Sequence, residues 1–357
     1  MPAYVLEQDT QYVLNHCARY LARNNRDRRH DFGHFAPEDE HANICESWRF
    51  PIVDSHYSHE LGVEGSFALN EVTFVYADPV GVPSRVELVG TFAPLYERLP
   101  LRRLPGTPYF SVTLRVPKGQ VHVYRYAVDG RLMLDPINPQ RARLDNGETW
   151  SRFFTQQCLM PITFERWEQE LLARLTDHIL PFRTKQAQRF LDEHVRRLDR
   201  QAREVEFPNA YRLDQSVGVV NFIDKLLARE EAHHREGYRT CLSIIAGLLR
   251  QRYPGLPPAE VPREAIVQLY GELAASGQQP ILGWDYSRYR EPAYFLKLLR
   301  RHTISGAFSH PKYGGNVGAV GWAFLEERYR DPRGGTTLFD WRRVIEQPLG
   351  MSREYRG

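Results

Sequence analysis

The spacing of apolar residues changes period twice along the chain. Near the start, Tyr12, Val13, Cys17, Tyr20 and Leu21 recur at helical spacing, with Asn24-Asn25 as the expected stop. Residues 26–65 lose that periodicity and are rich in His, Asp and Glu. They hold too little apolar material for a core of their own, so they are expected to wrap another surface. From 66 to 155 alternation takes over, and it predicts strands over 72–76, 85–90, 109–116 and 121–128. Asp129-Gly130 joins the last of these to Arg131–Leu134 as a hairpin with a tight turn. Short strands punctuated by Pro and Gly predict a β-sandwich. From Pro161 the helical period returns: Ile162, Phe164, Trp167, Leu171, Leu172, Leu175 and Ile179 form one stripe, which Pro181 is expected to end. Further helices are expected over 184–203, 214–229, 234–252, 261–276 and 289–305, with connections short enough for an all-α bundle. The pattern divides the chain into an N-terminal helix and wrapping segment (1–65), a β-sandwich (66–157) and a helical domain (158–357), an α+β multidomain architecture.

Composition narrows the picture little further. Hydrophobic residues are 42% and charged residues 25% of 357, which excludes wholesale disorder and a membrane-embedded chain. No run approaches the roughly 18 consecutive apolar residues of a membrane helix. Lys+Arg 47 against Asp+Glu 44 leaves +3, too small a bias to argue for nucleic acid. Cys17, Cys45, Cys158 and Cys241 are scattered, with no C-x-x-C pair, and read as buried thiols. Met1–Leu21 shows no basic region followed by an apolar core, and the polar His30–His34 follows Arg28-Arg29, so no export signal is visible. The expectation is a cytoplasmic protein, with a periplasmic one as the alternative if this is a mature form or is exported with a partner.

Two stretches carry resemblances. Gly306-Ala307-Phe308-Ser309-His310-Pro311-Lys312-Tyr313-Gly314-Gly315-Asn316, followed by Trp322, resembles the signature of the gluconate 2-dehydrogenase subunit 3 family. Val217–Leu227 and His178-Ile179-Leu180-Pro181 are similar to two further segments of that family, in the right order. The resemblance implies a non-catalytic small subunit that aids assembly or stability of a large flavoprotein dehydrogenase of the glucose–methanol–choline type. No cofactor is expected in this chain; FAD is expected in the partner subunit. Physically, two glycines allow φ > 0 and close approach of another chain, Pro311 restrains the entry, and Asn316 can cap or hydrogen-bond. Tyr313 and Trp322 are amphipathic anchors of the interface type. Pro311, Lys312, Tyr313, Gly314, Gly315, Asn316 and Trp322 are therefore the expected partner interface. The competing reading is a glycine loop folded back on its own bundle.

Val86–Phe92, Val116–Gly119, Tyr124–Gly130 and Asp135-Pro136-Ile137-Asn138-Pro139 resemble the early-set immunoglobulin-like modules that include glycogen-binding domains. Two tryptophans of the glycan-binding members are replaced here by Leu95 and Leu132. Arg125 matches a basic position of that site, and Tyr96 or Trp150 offers a replacement ring, so these three are the possible carbohydrate contacts. The alternative function is accordingly a carbohydrate-binding adaptor that localises an enzyme to a polysaccharide.

Other clusters read as structural. Asp54–Glu60 holds two histidines three apart, but in a non-periodic stretch. His233 and His234 are expected on different helix faces, Glu230-Glu231 on a solvated one, and His302 and His310 as solvated or capping residues. No dinucleotide fingerprint, haem motif or nucleophile elbow is present.

Overall fold

A computed structural model describes residues 4–21, 46–56, 68–77, 83–94, 97–180, 218–316, 321–322 and 325. The expected stop at Asn24-Asn25, the helix over 184–203, and Tyr96 lie outside these residues. The chain forms two compact units, one built on the segment ending at Met160 and one beginning at Pro161.

The first unit holds β1 (Val5–Leu6), α1 (Thr10–Tyr20), β2 (Ile52–Ser55), β3 (Leu69–Ala77), β4 (Val86–Gly90), β5 (Leu99–Pro100), β6 (Arg102–Arg103), β7 (Tyr109–Pro117), β8 (Val121–Val128), β9 (Arg131–Met133), β10 (Arg141–Arg143) and β11 (Thr149–Phe154). One sheet runs β1-β7-β3-β2, with β6 also on β7; the other runs β10-β11-β8-β4-β5, with β9 on β8. Alternation decides what lies between them. Val72, Phe74 and Tyr76 of β3 face Tyr124 and Tyr126 of β8 and Phe153 of β11 in one buried cluster. Phe74 meets Tyr124 edge-on at 5.1 Å and Phe153 at 5.4 Å, the favoured aromatic geometry. The expected hairpin forms: Asp129 (φ 46°) and Gly130 (φ 86°) are both left-handed, as a type I′ turn requires.

Residues 26–65 are not irregular throughout. Ser47–Arg49 forms a one-turn 3-10 helix, and β2 pairs with β3 from Ile52↔Thr73 to Ser55↔Asn70. The apolar side of α1 supplies what this segment lacks. Tyr12, Val13, Cys17 and Tyr20 pack with Phe50, Ile52, Val75 and Leu104, so α1 covers the outer face of the first sheet. Asp9 caps α1 by accepting from the Tyr12 N–H at 3.0 Å.

The second unit holds α2 (Arg166–Ile179), α3 (Val219–Leu226), α4 (Arg235–Arg252), α5 (Arg263–Ala275) and α6 (Pro292–Phe308). Glu168 reaches back to the Glu165 N–H at 2.8 Å, which starts α2. α4 buries Tyr238, Cys241, Leu242, Ile244, Ile245, Ala246, Leu248 and Leu249 on a broad face and leaves Glu236, Gly247, Arg250 and Gln251 exposed on the other. Among the described residues no helix is long and apolar enough to cross a membrane.

Candidate functional site

α3 is short and apolar, yet it carries Asn221, Asp224 and Lys225, all buried. A buried charge must be paired and hydrogen-bonded. Asp224 Oδ1 accepts from the Thr163 and Phe164 N–H groups at 2.8 and 3.0 Å, and Oδ2 accepts from the Ile162 N–H at 2.9 Å. Lys225 Nζ donates to Asp224 Oδ2 at 2.9 Å and to Asn221 Oδ1 at 3.0 Å. Asn221 Nδ2 in turn donates to the Gly314 carbonyl at 3.0 Å. This chain of bonds ties α3 to the segment before α2 on one side and to the glycine loop on the other. Removing one partner of such a pair costs about 3–5 kcal/mol. The adjacent Asp-Lys inside an apolar octapeptide is the sequence signal for it.

The loop after α6 closes on the same helix. Pro311–Tyr313 is a one-turn 3-10 helix, and His310 Nδ1 accepts the Lys312 N–H at 3.1 Å. Gly314 is left-handed (φ 89°), and a Cβ there would stand 2.6 Å from Asn221 Nδ2. A Cβ on Gly315 would stand 2.2 Å from the Gly306 carbonyl oxygen, and Gly306 itself lies against Phe222. Asn316 donates from Nδ2 to the Ser309 carbonyl and accepts the Gly321 N–H, both at 2.8 Å. Trp322 is buried and donates from Nε1 to the Phe308 carbonyl at 2.6 Å.

The structure therefore brings the expected interface residues together, but turns four of the seven inward. Gly314, Gly315, Asn316 and Trp322 are buried, and the close approach their glycines allow is to α3 and α6 of the same chain. Trp322 is a core residue of this unit, not an exposed anchor. Pro311, Lys312 and Tyr313 are half-buried. Lys312 Nζ lies 5.4 Å and the Arg229 guanidinium 6.0 Å from the Tyr313 ring centre.

A second polar cluster lies between α4 and α6. The Tyr238 hydroxyl and His302 Nδ1 are 2.7 Å apart, and His302 Nε2 lies 2.8 Å from Glu231 Oε2. Arg301 donates to both Glu231 oxygens, at 2.7 and 2.6 Å. Burial alone would raise the Glu231 carboxyl. The hydrogen bond from His302 and the charges of His302, Arg301 and His234 outweigh burial and hold it at about 2. Three expectations change here. α3 ends at Leu226, and the chain then turns Glu231 toward α6 instead of solvent. His233 and His234 sit in a 3-10 turn, with ring centres 4.0 Å apart, and not on opposite faces of a helix. His302 is buried, and His310 caps the turn that follows it.

In the β unit, Tyr124 points into the core, so its neighbour Arg125 points out. Ser151 pairs with Tyr124, which sets Trp150 beside Arg125. The Arg125 guanidinium lies 4.7 Å from the Trp150 ring centre and donates to the Thr149 carbonyl at 2.7 Å. Glu148 accepts from Trp150 Nε1 at 3.0 Å and lies 3.6 Å from Arg125. Two of the three expected carbohydrate contacts thus meet, with a guanidinium over the ring; Leu132 stands exposed on the neighbouring strand. Asp54 and His56 are used internally: Asp54 accepts from the Tyr12 hydroxyl, and His56 bonds Glu71 at 2.8 Å. His59 and Glu60 lie outside the described residues. Among the described residues no group of three or more His, Cys, Asp or Glu could hold a metal ion.

Comparison with known proteins adds the following. No curated protein matches the chain. Among solved structures, the enterochelin esterase of Shigella flexneri is 18% identical, with 27% of this chain and 32% of that chain covered, at a TM-score of 0.24. The ferric enterobactin esterase of Salmonella typhimurium is 15% identical, with 28% and 34% covered, at a TM-score of 0.25. The chain spans about a third of the length of these structures, and a likeness of that extent assigns neither fold nor activity here. The helical unit is different: residues 167–326, from α2 through the glycine loop and past Trp322, match the family model of gluconate 2-dehydrogenase subunit 3, which supports a subunit of a dehydrogenase complex.

Proposed function

We propose that this chain is a non-catalytic accessory subunit of an FAD-dependent glucose–methanol–choline-type dehydrogenase acting on a sugar or sugar acid, and that it aids assembly or stability of the large subunit. The observation that carries the reading is the family match over residues 167–326. The geometry of that segment supports a scaffolding role. Asn221, Asp224, His310 and Asn316, the polar groups around its glycine loop, are bonded to the chain's own backbone or side chains. FAD and the chemistry at the CH–OH group belong to the partner in this proposal.

The test is a tagged pull-down of the full chain from its native host, read by mass spectrometry and by the visible spectrum of the eluate. The expected result is a large dehydrogenase with the absorption of oxidised flavin. A colourless eluate without a dehydrogenase refutes a stable subunit. A second reading, the carbohydrate-binding adaptor, draws on the Arg125–Trp150 pair beside exposed Leu132.

A further inference from the structure

The outward side of α6 differs from every other described helix of its unit. α2, α3, α4 and α5 each contain at least one carboxylate, whereas α6 contains Lys297, Arg300 and Arg301 and none. At 100° per residue, Tyr294, Lys297, Arg301 and Ile304 fall on one narrow stripe. Tyr294 is 42% and Ile304 51% exposed, two of the large apolar side chains that the described surface leaves in water. Lys297 and Arg300 are exposed and form no ion pair among the described residues. Beyond the end of the helix, Lys312 adds a further cation at the half-buried turn.

Two side chains of the stripe, Tyr294 and Arg301, are also held in place. The connection from α3 to α4 runs alongside it: the His234 ring lies 6.2 Å from the Tyr294 ring, and Glu231 grips Arg301 through both oxygens. Side chains fixed before association lose less entropy on binding. Tyr and Arg around an exposed aliphatic residue, with cations at the rim, is the composition of an interface centre.

We propose that Tyr294, Lys297, Arg300, Arg301 and Ile304 form the docking surface for the large subunit, and that the facing surface is acidic around an apolar centre. The proposal rests on the accessory-subunit reading and moves its contact from the glycine loop to α6. Charge complementarity selects the partner: Lys297 and Arg300, which form no ion pair among the described residues, need carboxylates opposite them, and like charge would repel.

The experiment repeats the native-host pull-down with the tagged full chain as wild type, as K297E/R300E, as Ile304→Asp, and as Leu282→Asp. Leu282 is 91% exposed but lies outside α6, so it reports any general effect of a charge on an exposed leucine. Arg301 is left intact because Glu231 depends on it. The flavin recovered with K297E/R300E and with Ile304→Asp is expected to fall about tenfold or more relative to wild type, and that with Leu282→Asp to stay the same. Wild-type retention is expected to weaken as salt rises. If both α6 variants retain wild-type amounts of the dehydrogenase, the stripe is overturned and the subunit reading stands. If wild type itself retains no flavoprotein, both fall.

Discussion

In the β unit, the side chains singled out for binding meet at the surface, where Arg125 lies over Trp150. In the helical unit, the side chains singled out for a partner meet beneath the surface, where Gly315 touches the Gly306 carbonyl and Trp322 bonds Phe308. Both sets were recognised by pattern. The difference lies in what the pattern encodes. A strand alternates, so a core Tyr124 guarantees an outward Arg125. A glycine loop has no such rule, and its glycines mark close approach without saying whose backbone approaches. A motif in a loop therefore identifies a packing solution first, and a contact with another molecule only when its side chains reach solvent.

The contrast can be broken most directly at the loop. Gly315→Ala puts a Cβ against a backbone oxygen that cannot move alone, so the helical unit should lose about 4 kcal/mol or more. Thermal unfolding followed by circular dichroism should show the helical transition lowered and the β transition kept. Wild-type stability would mean that the loop is not packed against α6. Gly315 is for the same reason a poor probe of association, since its replacement damages the bundle first.

A second test reads the β unit by pH, with its own transition followed because burial and His233 lower His234 of the helical unit to about 4 over the same range. Burial lowers His122, which lies between the two sheets, to about 4 from 6.5. Between those values the unfolded chain takes up a proton that the folded chain refuses. His122 should therefore cost the β unit up to about 3 kcal/mol as pH falls from 6.5 to 4. His122→Phe should lose that part of the slope and keep the part due to His16, also lowered to about 4 by burial and by Arg49 and Arg19. Denaturant midpoints across pH read the slope, and an unchanged slope in His122→Phe rules out His122 as its source. Glu231 acts lower, because its stabilisation is complete above about 4.5 and is lost only as pH falls toward 2.

The smallest effect belongs to the surface pair. Arg125→Ala should cost about 0.5–1 kcal/mol, the scale of an exposed cation–π contact. It also uncovers the Trp150 ring. Co-sedimentation with glycogen or starch then sharpens the comparison. Binding by wild type that is lost in Trp150→Ala would turn the surface pair into a site, and no pelleting by either would leave the pair structural.

Much of the fold was legible because its signals are local. Alternation located β3, β4, β7 and β8 within three residues, and Asp129-Gly130 located the turn from β8 to β9. The helices from 166 to 308 follow from apolar periodicity in the same way. What was not legible depends on distant partners. β2 is a strand because β3 pairs with it and because Tyr12 bonds Asp54, neither of which a window around Ile52 contains. β10 and β11 were not predicted because Arg141–Arg143 lacks alternation, although Asn146-Gly147 marks the turn between them. At the candidate site, Gly314 and Asn316 were visible, but their partners Asn221 and Gly321 were not.

The three amides that Asp224 binds belong to Ile162, Thr163 and Phe164, ahead of the point where the family match begins. The boundary of the recognised segment is thus not the boundary of the folding unit. A fragment excised at residue 167 would keep the whole signature and still strand a buried carboxylate beside Lys225 with its backbone donors cut away. The smallest autonomous piece of the helical unit starts no later than Pro161, inside the connection that an outline drawn from family resemblance would discard.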